Sequence, residues 1–346
     1  MNKRWKRMIS FTVLWLIVGF GLWFSQQWMK TKCSDQSLAM HWSKEQDYAQ
    51  IRAFFSKDRE ISKQEIQTAE EEMNVILQQN GRTDEAEQDW ISAYSTQGQL
   101  TVSGEKMTET MQAIGVGGDF FFFHPFVLKT GTWFDSNKNT TPMVVLNETA
   151  AWKLFGSLNV EGMEVEIEGE PYSISGVIQL ERNPFLEKTG ALESQIYLAY
   201  DQLKKHRDNV GITCYEIIMP NPIQQFALTT IKKQAIFSEN DVELVEHSDR
   251  FSIKKRIQEL PDFFTRSMKQ NEIYYPFWEN ETRAWEQVWD LILIIQMIWG
   301  IVGISFIIVL IKTVDCKNLL LLRKGCIGSP SENATKLWIK PTDNRF

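Results

Sequence analysis

Two uncharged apolar runs bracket this chain and decide most of what it can become. Met8 to Phe24 holds 17 residues without a charge, and Leu291 to Ile311 holds 21. As helices rising about 1.5 Å per residue they are about 26 and about 31 Å long, against a hydrocarbon core of about 30 Å. The second run spans outright. The first does so once Ser25 to Trp28 carry the helix through the interface. A cleaved leader is the rival reading of the first run. It is longer than a leader's usual apolar stretch, however, and "SQQWMKTKCSDQ" offers no small-x-small site to cut. Two retained membrane helices are expected, over 8–28 and 289–312.

Charge orients them. Residues 1–8 carry four Lys/Arg and no acid, and residues 312–346 carry seven against three acids. By the positive-inside rule both tails are cytoplasmic. The residues between hold 26 basic and 41 acidic side chains, so the acidic middle lies outside. That balance speaks against nucleic acid and against attraction to an anionic membrane face. The expected location is the cell (plasma or inner) membrane, crossed twice. Trp23 and Trp28, with Trp278, Trp285 and Trp289, read as interfacial belts, except that Trp278 suits core packing better.

An apolar fraction of 43% with 23% charged residues is ordinary for a folded protein and argues against global disorder of the chain. Residues 43–80 are rich in Glu, Gln, Lys and Ala. Ile61, Ile66, Met73, Ile76 and Leu77 fall near helical spacing, and 29–89 reads as a helical stalk. From Trp90 the texture changes to strands and turns, with "QLTVSG" (99–104) alternating at period two. In "PMVVLNETAAWKLFG" (142–156) a strand over Met143 to Leu146 runs into a helix. Asn147 is its N-cap, Glu148 lies in its first turn, Ala150, Ala151, Leu154 and Phe155 form its inner face, and Gly156 ends it.

Met163, Val165 and Ile167 share one strand face, Glu164, Glu166 and Glu168 the other, and "EG" at 168–169 turns the chain back. A second α/β part follows over 206–288. "TCYEIIMP" (213–220) is a strand, and Asn221 with Pro222 opens a helix running to about Gln234. "DVELVE" (241–246) is another strand, and Phe251 to Leu260 another helix. The class expected is α+β, a mixed sheet with helices set between two membrane helices.

No chemistry stands out. His41, His124, His206 and His247 are scattered, and His124 among phenylalanines reads as packed or capping rather than as a ligand. The three glutamates on alternate strand positions fit a solvated face better than a metal comb. "GVGG" (115–118) lacks the spacing of a nucleotide loop, and "SIKK" (252–255) lacks the motifs that accompany a catalytic SxxK. No Walker A loop occurs in these residues. Cys33 and Cys214 fall outside, Cys316 and Cys326 inside; a Cys33–Cys214 disulfide and two separate thiols stay equally open. No residue is put forward as catalytic, cofactor-binding or metal-ligating, and no enzyme and no cofactor are expected.

The run "MVVLNETAAWKLFGSLNVEGMEVEIEGEPYSISGVI" resembles the extracytoplasmic core domain of MacB/FtsX-type ABC transporter permeases. Val144 to Leu146, Ala151, Leu154 to Gly156, Gly162, Val165, Ile167, Gly169, Tyr172, Ile174 and Gly176 to Ile178 carry the likeness. Upstream, "AIGVGGDFFFFHPFVLKTGTWF" is similar to the segment preceding that core. The likeness covers about residues 90–200, with the core placed at 90–205. It implies a MacB-like core domain between membrane helices, in a subunit that does no catalysis itself and relays the motion of a separate ATPase. The 1–7 and 313–346 tails, with Lys317, Arg323 and Lys324, are the cytoplasmic parts open to that ATPase. Such permeases continue with further membrane helices, whereas here "LLLL" (319–322) is too short to span. A short two-helix form or a truncated product is therefore expected, assembling with a second permease subunit. Gly300 and Gly303 offer close helix approach without GxxxG spacing. The alternative is a tethered scaffold, or a ligand-binding sensor or regulator of an envelope enzyme.

Overall fold

In the strand Tyr48–Phe55, side chains alternate between two buried faces. Ala49, Ile51, Ala53 and Phe55 point one way into an apolar core, while Gln50 and Arg52 point the other. That strand, β1, lies near one edge of the ten-stranded sheet on which the molecule is built. The computed structural model describes residues 3–42, 47–56, 58–80, 90–136, 142–238, 241–247, 249–264, 273 and 275–325.

The remaining strands are β2 (Ile91–Ser103), β3 (Thr108–Gly118), β4 (Val127–Gly131), β5 (Met143–Asn147), β6 (Glu164–Ile167), β7 (Glu170–Gln179), β8 (Gln195–Ala199), β9 (Cys214–Pro220) and β10 (Val242–Glu246). Their order is β10-β1-β9-β2-β3-β8-β5-β7-β4, with β6 joined to β2 and β7. The β3–β8 and β5–β7 pairs are parallel and the rest antiparallel. The helices are α1 (Lys3–Lys32), α2 (Leu38–Trp42), α3 (Lys63–Gln79), α4 (Phe120–Phe123), α5 (Glu148–Phe155), α6 (Pro184–Thr189), α7 (Tyr200–His206), α8 (Phe226–Lys232), α9 (Ile253–Glu259) and α10 (Phe277–Gly325). The chain divides into a sheet-bearing unit, Phe24–Leu291, and a helical unit made of Met1–Trp23 and Ile292–Phe346.

The expected helical stalk over 29–89 is corrected by β1, and by α3 lying on the sheet. Ser62 and Glu65 form a capping box at the start of α3. Ile66, Ala69, Met73 and Leu77 then pack on Ile51, Phe55, Tyr215 and Ile217. Burying Ile66, Met73 and Leu77 is worth about 1.5–3 kcal/mol each, which a stalk in solvent would forgo. Likewise the 206–288 part is not a separate layer, because β9 lies between β1 and β2 in the same sheet.

The strand–helix at 143–156 forms as its residues require. Asn147 accepts a hydrogen bond from the Ala150 amide, and Gly156 closes the helix at φ 72. That left-handed conformation suits glycine. The 168–169 turn has both residues at positive φ, the geometry of a tight hairpin. The helix expected from Asn221 starts later, at Phe226. Asn221 caps from a distance, accepting from the Ala227 amide, with Pro222 in the loop before the helix.

In the helical unit the two helices meet through a reciprocal pair. Trp15 and Trp299 stack at 3.8 Å between ring centroids and 8° between planes. Each indole nitrogen donates to the other residue's carbonyl, at 3.4 and 3.2 Å. Phe11 meets Phe306 nearby at 4.6 Å.

Candidate functional site

The part of the sheet-bearing unit that chemistry has to explain is a buried ionic cluster. Glu279, Arg283, Glu286 and Asp290 recur at intervals of four, three and four residues, so helical geometry puts them on one face of α10. That face is turned inward: the four side chains are 0 to 3% exposed.

Two arginines from the segment after β10 meet it. Arg250 donates to both oxygens of Glu279 (2.8 and 2.9 Å) and through Nε to Glu286 (2.6 Å). Its Nη1 also reaches Gln36 Oε1 at 3.0 Å, tying in the short turn Ser34–Gln36 that follows α1. Arg256 donates through Nε to Asp290 Oδ1 at 2.7 Å and through Nη1 to Glu259 at 2.8 Å, and its Nη1 forms an ion pair with Glu286 at 3.0 Å. Arg283 bonds Glu279 and Glu243 of β10, both at 2.8 Å, and lies 3.8 Å over the Tyr275 ring.

On the adjoining face of the sheet, Arg52 bonds Glu216 through Nε and Asp35 through Nη2 at 3.0 Å. His124 Nε2 faces the other Glu216 oxygen at 2.6 Å. Burial pushes the Glu216 carboxyl up, but Arg52 and His124 outweigh it and hold the group at about 2. For Arg52 burial works against the charge, and Glu216 with Asp35 more than restores it, leaving its pKa raised. Glu216 therefore stays ionised and accepts the His124 proton donor.

Each of the four fully buried carboxylates meets at least one arginine where water cannot screen the charges, and the partly exposed Asp35, Glu243 and Glu259 join at the margin. Such a cluster is weak evidence for stability, since well-packed apolar residues often serve as well. What it does confer is geometry. Bidentate guanidinium–carboxylate pairs tolerate little rotation, so the turn after α1, the sheet, the β10–α9 segment and the first turns of α10 are held in one arrangement.

The other sequence candidates do not converge on a site. His124 lies between Phe120, Phe126 and Trp278, His206 bonds Tyr172, and His247 bonds Gln36. Glu164, Glu166 and Glu168 are exposed, and Glu168 is engaged by Arg207 at 2.6 Å. Among the described residues no cluster of His, Cys, Asp and Glu could hold a metal ion. Cys33 and Cys214 are buried free thiols, and burial pushes both pKa values up. A cleft of about 590 Å³ is lined by polar residues such as Thr96, Gln112 and Asn209, with Glu109 and Glu193 among them. Lys317, Arg323 and Lys324 fall where side chains are not described, and residues 326–346 lie outside the described residues.

Sequence reasoning passed over the whole ionic cluster. The signal was present in the 4-3-4 spacing of charges from 279 to 290, immediately before an apolar run.

An α+β domain in a chain with two helices apolar enough to cross a membrane defines a class of membrane-anchored extracytoplasmic modules. Within that class, the model of the MacB-like periplasmic core domain matches residues 16–233. The chain belongs to this family, that of the MacB/FtsX-type ABC transporter permeases. Among solved structures it is similar to the periplasmic region of MacB from Actinobacillus actinomycetemcomitans. The identity is 13% and the TM-score 0.43, covering 63% of this chain and 95% of that one. It is also similar to the extracellular domain of the noncanonic ABC-type transporter YknZ from Gram-positive bacteria. There the identity is 16% and the TM-score 0.38, covering 57% and 99%. No curated protein matches.

Proposed function

We propose that this chain is a non-catalytic permease-like subunit that relays the motion of a separate ATPase to its extracytoplasmic domain. One observation carries the reading. The Arg250–Glu279–Glu286 and Arg256–Asp290 pairs join the sheet to α10 by contacts that resist bending. Displacement of α10 along its axis would therefore reach the sheet undamped. Hydrogen-bond and salt-bridge networks of this kind are one physical carrier of coupling between distant parts of a protein. The basic residues of both tails support a cytoplasmic location for them, within reach of an ATPase.

The test is a mild-detergent pull-down read by mass spectrometry. The expected result is recovery of an ABC ATPase, with or without a second permease subunit. Recovery of neither, under conditions that keep other ABC transporters intact, overturns the reading in favour of a tethered scaffold. Orientation is tested separately by thiol labelling of intact cells. Glu161→Cys should label from outside and Asn333→Cys should not; labelling of the second would reverse the topology.

A further inference from the structure

The segment that supplies Arg250 and Arg256 has a second face that the ionic cluster does not use. Along α9 and the 3-10 turn after it (Leu260–Asp262), apolar residues recur at Ile253, Ile257, Leu260 and Phe264. The 4-3-4 spacing makes one stripe. It is not packed inward: Ile253 is 58% exposed, Ile257 46% and Phe264 88%. One flank and the far side are anchored, with Arg256 2% exposed beside the stripe and Lys255 Nζ across from it donating to the Glu246 carbonyl at 3.0 Å.

The anchor says where this stripe lies. Arg256 grips Asp290 through two of its nitrogens, and Asp290 is the last residue before the uncharged run Leu291–Ile311. A carboxylate at that point marks the boundary between water and hydrocarbon, because a charge is expensive any deeper. The helix pinned to it is held at the same level.

We propose that α9 and its following turn lie in the membrane–water interface, with Ile253, Ile257, Leu260 and Phe264 inserted among the lipids. Interfacial helices bury such a face by about 5–10 Å into the headgroup and acyl boundary. The stripe has no net basic flank, since Lys254 and Lys255 stand beside Asp249, Glu259 and Asp262 and Arg256 is taken up by Asp290 and Glu259, so the partner is a zwitterionic lipid surface and anionic lipid is not required. The inference rests on the membrane-span reading of 291–311 and is independent of any ATPase.

Nitroxide labels placed one at a time at positions 253, 254, 257, 258, 261 and 264 test it. The full chain, with its native cysteines replaced by alanine, is reconstituted into dioleoylphosphatidylcholine vesicles. Relaxation by oxygen, which concentrates in lipid, is compared with relaxation by a water-soluble nickel chelate. The oxygen-to-nickel ratio should be several-fold higher at 253, 257 and 264 than at 254, 258 and 261. Equal, water-like ratios at all six positions overturn the proposal. So does shielding of 253, 257 and 264 from both reagents, which would put a protein partner or a second copy on the stripe. Should one label prevent folding, the other two stripe positions carry the same comparison.

Discussion

Arg52 and Glu216 stand directly opposite each other on adjacent antiparallel strands, 0% and 1% exposed, and are joined by a hydrogen-bonded ion pair. Cross-strand neighbours of opposite charge are ordinarily a surface device. Here both faces of the β1–β9 pair are covered, one by α3 and α8 and the other by the aromatic cluster around Phe120, His124 and Trp278. Asp35 and His124 add ionic contacts on either side of the pair, while Arg52 Nη1 meets no hydrogen-bond partner among the described residues.

Removing one member should therefore cost more than the pair contributes. Glu216→Ala leaves the Arg52 guanidinium buried beside a partly exposed Asp35, and a loss of about 3–5 kcal/mol is expected. In a domain of this size that lowers the melting temperature by about 10 °C. Arg52→Met combined with Glu216→Leu should recover most of the loss. Thermal unfolding of the detergent-solubilised chain measures both variants. A single-variant loss below about 1 kcal/mol would mean that water reaches the pair.

Acid should undo the same site. Glu216 in the fold is held at about 2, below its ordinary 4.5, so the folded state binds its proton less readily than the unfolded chain does. The contribution is complete above about pH 4.5 and is lost as the pH falls from there towards 2. It amounts to at most about 3 kcal/mol. Glu216→Gln should flatten this part of the stability profile. An unchanged acid limb in that variant would assign the loss to other carboxylates.

The strand–helix at 143–156 was legible because each signal is local. Asn147 caps, Glu148 complements the first turn, and Gly156 takes a conformation other residues avoid. β1 was not legible, since "YAQIRAFF" is buried on both faces and Gln50 and Arg52 break the apolar alternation. The start of α8 was misplaced because Asn221 caps across five intervening residues, a reach that spacing rules do not include. The ionic cluster escaped for a related reason. Charges at helical spacing ordinarily mark the solvated face, and their burial depends on Arg250 and Arg256, which arrive from elsewhere in the chain.

Phe155 tests the legible part. Its side chain is 5% exposed and packs with Leu100, Val144 and Val177 beneath the sheet. Phe155→Ala should cost about 3–5 kcal/mol as a truncated buried aromatic. Trp152→Ala, on the same helix but 63% exposed, should cost far less. Chemical denaturation of the two variants side by side gives the comparison, and equal losses would contradict the inward face assigned to α5.

The two membrane-run glycines singled out from the sequence separate in the structure, and this allows a sharp test. A Cβ on Gly303 would meet the Trp15 ring at 2.2 Å, whereas one on Gly300 meets nothing within 4 Å. Gly19 mirrors Gly303, with the Trp299 ring 2.3 Å from where its Cβ would stand. Each helix thus carries a tryptophan followed four residues later by a glycine, and each glycine makes room for the other helix's indole. A side chain at Gly303 must displace Trp15, breaking the stack and both indole hydrogen bonds. Gly303→Val should destabilise by about 1–3 kcal/mol, as overpacking does. Gly300→Val introduces the same β-branched residue into the same helix without the collision and should cost only a small fraction of that. Thermal unfolding in one detergent compares the two variants, and near-ultraviolet circular dichroism follows the indole stack directly. If Gly303→Val left the tryptophan signal intact and matched Gly300→Val in stability, the two helices would not meet through Trp15 and Trp299.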